Sequence, residues 1–106
     1  MSLIGEFKNA TITILSDDDL TAAVDLGRGY DFMIIHIPPI DSANLTIYGA
    51  ERTASTYYAL GNSLTVTAGT GGFAEVVKIG GHRFIKIGTS AAQTANRTFR
   101  VCGIAL

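Results

Sequence analysis

The chain has no tryptophan, a single cysteine and only two prolines among its 106 residues, and few charges. Each shortage excludes something. One thiol, Cys102, cannot make an internal disulfide or a cysteine-based zinc site. It lies inside a strand-like stretch and reads as a small buried hydrophobe, since a reactive thiol needs a basic and partly open setting. Charged residues make up 16% of the sequence and the formal net charge is −1. The common share is about 25%. There is no basic excess of the kind a nucleic-acid-binding domain of this size carries. No apolar run approaches the ~20 residues needed to span a bilayer as a helix. No basic segment followed by an apolar run opens the chain, so the expectation is a soluble protein made in a cytoplasm. Hydrophobic residues nevertheless reach 47%. A small domain has much surface to cover, and here part of it must be apolar or neutral, which favours burial against other subunits.

What the chain does have is short alternating stretches broken by Gly, Pro and Asn-Ser turns. Residues 1–9 form a lead or arm, and 10–106 a single domain. Residues 10–15 alternate Thr11 and Thr13 with Ile12 and Ile14, a half-buried strand. Leu20, Ala22, Val24 and Leu26 alternate in the same way and predict a second strand. From Tyr30 to Ile37, Phe32 and Ile34 share one face while Met33, Ile35 and Ile37 share the other. Pro38-Pro39 ends that run. Leu45 to Tyr48 continues as a strand, Thr53 to Leu60 less clearly so. Gly61-Asn62 signals a turn, and Leu64, Val66 and Ala68 alternate after it. Residues 73–79 and 83–87 flank Gly80-Gly81, which predicts a hairpin. The last third reads as strand, small polar loop and strand, with residues 91–96 too polar to bury much. Eight or nine short strands with almost no helix predict an all-β fold, a single antiparallel β-sandwich of jelly-roll-like kind. The expected core includes Phe32, Ile34, Phe84, Ile85, Ile87, Phe99 and Val101.

No catalytic, metal or cofactor site emerges. The Asp17-Asp18-Asp19 run lacks the alternation and glycine of a calcium loop and reads as a solvated turn. His36 and His82 have no ligand spacing around them. Neither a Gly-x-Ser-x-Gly elbow nor a Lys-Ser/Thr phosphate loop is present. Asn-x-Ser/Thr matches at Asn9, Asn44 and Asn96 read as chance in a Thr-rich chain. Tyr48, Tyr57 and Tyr58 are the candidates for a sugar platform, although packing is the commoner use of Tyr in strands. The candidate interface is Leu3, Ile4 and Phe7 from the lead together with Met33, Ile35 and Ile37. A two-layer sandwich buries only one face of the apolar strand at 30–37, and the lead has no strand partner of its own.

Three stretches carry a resemblance. LTAAVDLG at 20–27, IPPIDSANLTI at 37–47 and FIKIGTSAAQTANRTF at 84–99, in that order and spacing, resemble a group of small structural proteins of tailed-phage virions. These are β-sandwich proteins often encoded among head genes, and the likeness covers roughly residues 20–101. The group has a Trp after its proline where Ile40 stands here, and a Ser before its Gly-Thr where Ile87 stands. The resemblance implies a non-enzymatic capsid decoration or cement protein on the virion's outer surface. Its partners would be the major capsid protein and further copies of itself, in a trimer, with no nucleic acid, membrane or cofactor. A tail, baseplate or fibre module that binds host carbohydrate and a head–tail connector component are the alternatives.

Overall fold

The computed structural model describes residues 3–15, 18–52, 56–60 and 65–105. Ten strands run through them: β1 (Leu3–Ile4), β2 (Lys8–Ile12), β3 (Val24–Asp25), β4 (Phe32–Ile37), β5 (Ala43–Ala50), β6 (Tyr58–Ala59), β7 (Thr65–Gly69), β8 (Phe73–Lys78), β9 (Phe84–Thr89) and β10 (Arg97–Ala105). No helix occurs among the described residues. The strands make two five-stranded antiparallel sheets. In the first, β10 lies between β4 and the β1–β2 pair, and β8 is the edge beyond β4. In the second, β9 and β5 are central, β3 flanks β9, and β6 and β7 share the far side of β5.

With the two-residue β1 and β6 set aside, the sheet orders are β2-β10-β4-β8 and β3-β9-β5-β7. Successive strands change sheet at every connection but one, that from β5 to β7. This is a jelly-roll-like sandwich, as the alternation and turn spacing predict. The core lies between the sheets, where Ile12, Met33, Ile35, Leu45, Ile47, Ile85, Ile87, Phe99 and Val101 have no exposed surface. Isoleucine dominates because β-branched side chains pack well on a pleated surface.

Several expectations are corrected. Residues 73–79 and 83–87 do not form a hairpin, because β8 pairs with β4 and β9 pairs with β5 and β3. The Gly-Gly turn exists, with φ of 62° at Gly80 and 90° at Gly81. It carries the chain from one sheet to the other instead, held by bonds from the Ile79 and Gly81 amides to the carbonyls of Asp31 and Tyr30. The alternation at 20–26 is also interrupted. Thr21 is buried and Ala22 exposed, opposite to the period-two pattern. Thr21 donates its amide to Ile87 O and accepts the Ile87 amide on its hydroxyl, both within 3.0 Å. Ala22 then donates to Thr11 O at 3.2 Å, so this segment stitches the two sheets together and only Val24–Asp25 is regular strand. Nor does the lead lack a strand partner: Leu3 pairs with Ala105 and Ile4 with Ile104. The turn at Gly61-Asn62 lies outside the described residues.

The loop at 91–96 buries more than its composition suggests. Gln93 is buried. Its Oε1 accepts from the Asp41 amide at 2.8 Å and from Arg97 Nε at 3.2 Å. Its Nε2 donates to the carbonyls of Asp41 and Ala91. Asp41 answers by accepting the Thr94 amide and hydroxyl on Oδ2, at 2.7 and 2.9 Å. Those Thr94 bonds and nearby Arg97 hold the Asp41 carboxyl below its usual pKa. One amide side chain thus pins the β9–β10 connection to the loop after β4.

Candidate docking surface

Strand pairing fixes which side chains share a face, because residues directly opposite each other point the same way. On β4, Met33 lies opposite Gly103 and Val77, Ile35 opposite Val101 and Glu75, and Ile37 opposite Phe73, and all three are buried on the inner side. Three of the six candidate interface residues are therefore core, and the face assignment on β4 is reversed. A strand apolar on both sides has no sequence signal for which side is inside. Of the expected core, Ile85, Ile87, Phe99 and Val101 are buried, whereas Phe32, Ile34 and Phe84 are only partly covered.

Phe32 and Ile34 instead belong to the outer face of the first sheet, and they have apolar company there. One row runs Ile4, Ile104, Phe32, Lys78 across β1, β10, β4 and β8. The next runs Cys102, Ile34, Val76. Ile4 is 66% exposed and Val76 56%, with Phe32, Ile34 and Ile104 half-buried between them. The outer face of an antiparallel sandwich is ordinarily polar, and this apolar stripe departs from that pattern. A row of Asn9, Arg100 and His36, polar until it ends at Ala74, bounds it. Phe7 lies over that row, its ring 4.8 Å from the His36 ring and 5.7 Å from the Arg100 guanidinium. Arg100 also donates to Asn9 Oδ1 at 2.7 Å.

The lead shapes this surface. Between Ile4 and Lys8 three residues oppose two of β10, a bulge that swings Phe7 over the face. The same bulge covers Cys102, whose thiol donates to Gly5 O at 3.2 Å and whose pKa is pushed up by burial. The thiol is thus the inert buried hydrophobe the sequence suggests. Of the lead residues singled out, Ile4 and Phe7 stand on the outer face, and Leu3 is placed by its backbone pairing to Ala105.

The remaining candidates are scattered. His36 is exposed beneath Phe7, and His82 packs near Gly49 with Nδ1 2.8 Å from Ile79 O. Among the described residues no three His, Cys, Asp or Glu side chains come together to hold a metal. Tyr48 pairs with Lys86 on the outer face of the second sheet, and the Lys86 ammonium sits 4.6 Å over the Tyr57 ring. Tyr58 is opposite Gly49 and so points to the other side. The three tyrosines therefore make no common platform. Of the acidic run, Asp17 lies outside the described residues. The carbonyls of Asp18 and Asp19 accept from the Gln93 and Thr89 amides at 2.7 and 2.8 Å.

The fold is thus a jelly-roll-like sandwich whose first sheet has an apolar stripe on its outer face. No protein-family model and no curated protein matches the chain. Among solved structures it is similar to the SPBc2 prophage-derived protein YomS, with a TM-score of 0.56, 11% identity, and coverage of 97% of this chain and 98% of that one. Weaker similarities are to chains in the Cyanophage Pam1 capsid asymmetric unit and in the acidic stable capsid of the Helicobacter pylori bacteriophage KHP30. The first has a TM-score of 0.43, 15% identity and coverage of 97% and 82%. The second has 0.40, 11%, and 98% and 91%. At these identities the likeness is one of fold.

Proposed function

We propose that the chain is a non-enzymatic structural protein of a phage virion, a decoration protein that lies on the outer surface of the major capsid protein shell. The observation that carries this reading is the apolar outer face made by Ile4, Ile104, Phe32, Ile34 and Val76. Two further supports stand beside it. The stretches at 20–27, 37–47 and 84–99 resemble small virion proteins, and the whole-chain likeness is to a prophage-derived protein. The shell covers the apolar stripe, and Phe7, His36 and Arg100 line its border. In keeping with the resemblance, copies gather in threes at three-fold positions that the shell lattice supplies.

Attachment of this kind rests on apolar burial and strengthens little with charge. It is expected to survive about 1 M salt, where exposed ionic contacts are screened within ~3 Å. The test is to wash purified particles at that salt and count the copies retained by quantitative gel or mass spectrometry. Hundreds of copies on heads support the decoration reading. A few to a dozen point to a connector, and presence on tails alone replaces it with the carbohydrate-binding alternative. Ready loss in salt removes the apolar-contact argument.

A further inference from the structure

We infer that β8 is a pairing edge, and that it joins two copies of this chain across a two-fold axis at Val76. The Ile79 amide bonds to Asp31 O at 2.9 Å, which makes the neighbouring Lys78–Phe32 pair one of the non-hydrogen-bonded kind. Alternation then turns the backbone groups of Glu75 and Val77 toward β4. It turns those of Ala74, Val76 and Lys78 outward, and these have no backbone partner among the described residues. Most other edges are short or closed: β3 has two residues, and β2 is met by the Ala22 amide at Thr11 O. β7 is open too, but its described apolar side chains, Val66 and Ala68, are buried. β8 is the longer, at six residues, and exposes Val76. It carries no proline and no bulge, two of the usual protections of an edge; its charges are Glu75, opposite Ile35, and Lys78, opposite Phe32.

The sequence Phe-Ala-Glu-Val-Val-Lys also selects the register. With the axis normal to the sheet at Val76, Val76 meets Val76 of the second copy, Ala74 meets Lys78 and Glu75 meets Val77. Each of Ala74, Val76 and Lys78 then exchanges both of its outward backbone bonds, and no like charges stand directly opposite. Moving the axis to Glu75 sets two carboxylates face to face and loses bonds at Lys78. Moving it to Val77 loses bonds at Ala74. The Val76 register also makes one continuous sheet whose outer face carries both copies' Phe32–Ile34–Val76 stripe. On a shell, such pairing links copies that belong to neighbouring three-fold positions.

The test uses the free full-length chain and its Val76→Lys variant, by light scattering over a dilution series and by amide hydrogen exchange. Val76→Lys sets two ammonium groups opposite each other at the axis while sparing the bonds to β4. The expected result is a twofold mass over the 11.2 kDa chain for the native protein and a return to the single-chain mass for the variant. The amides of Ala74, Val76 and Lys78 are expected to be slow in the first and fast in the second. Slow Glu75 and Val77 amides in both show that β8 stays folded. A native chain that remains single at the highest concentration overturns the inference. So does an oligomer in which the Ala74, Val76 and Lys78 amides exchange freely, or one that Val76→Lys leaves intact.

Discussion

Phe99 is the bulkiest side chain with no exposed surface, and its place was readable from the strand pattern around it. Truncating it to Ala is expected to cost about 3–5 kcal/mol, seen as a lower denaturant midpoint. An unchanged midpoint would place Phe99 at the periphery. Asp25 behaves differently. Its carboxylate accepts from Arg83 Nε and Nη2 at 2.7 and 2.9 Å and from the Gly27 amide at 2.8 Å. These bonds, the Arg83 contact first, lower its pKa to about 2. The unfolded carboxyl titrates near 3.9. A depressed acid stabilises the fold above the unfolded value and loses that contribution as pH falls through the folded one. The contribution is therefore complete above about pH 4 and disappears toward pH 2. Both partners are about half exposed, so the effect is small, within ~0.2–1 kcal/mol. Asp25→Asn is expected to flatten the stability profile in that window and nowhere else. Nothing in the sequence paired Asp25 with Arg83, because the two lie 58 residues apart and meet only when β3 docks on β9.

Elements show where local reading stops. The loop at 91–96 looks featureless, yet Gln93 holds four hydrogen bonds across it. Gln93→Ala would leave the Asp41 amide and carbonyl without partners in a part-buried site, at about 1–3 kcal/mol. Gln93→Glu is expected to restore less than full stability, since a carboxylate cannot donate to the Asp41 and Ala91 carbonyls. Thermal melts of the two variants check both statements. On β10, Gly103 is needed for close approach: a methyl there would overlap the buried Tyr30 ring. Gly103→Ala is expected to destabilise by roughly 1–3 kcal/mol, the usual penalty for overpacking. β4 carries the plainest lesson. Its two apolar faces were visible in the sequence, but period two labels faces only relative to each other. The register with β10 and β8 chose Met33, Ile35 and Ile37 for the interior.

For the whole molecule the consequence is an outer face with an apolar stripe that Phe7, stacked over His36 and Arg100, borders. Ile34→Lys, in the middle of that stripe, is expected to leave the unfolding midpoint nearly unchanged and to reduce the copies retained on washed particles severalfold. Met33→Lys, one residue away, is expected to prevent folding, because it buries an unpaired charge. If Ile34→Lys particles keep their full complement, the first sheet's outer face is not the docking surface.

By itself the sequence determined that this is an all-β sandwich. Period-two alternation and Gly, Pro and Asn turns are local signals, and strands report them one at a time. Tertiary structure alone decided which strands are neighbours. Residues 73–79 and 83–87 are adjacent in the chain and parted by the sandwich, whereas Leu3 and Ala105 are at opposite ends and paired. The physical reason is that backbone hydrogen bonds carry no sequence code. Partners are chosen by how all the apolar faces can be buried at once, and that choice made Ile34 surface and Ile35 core.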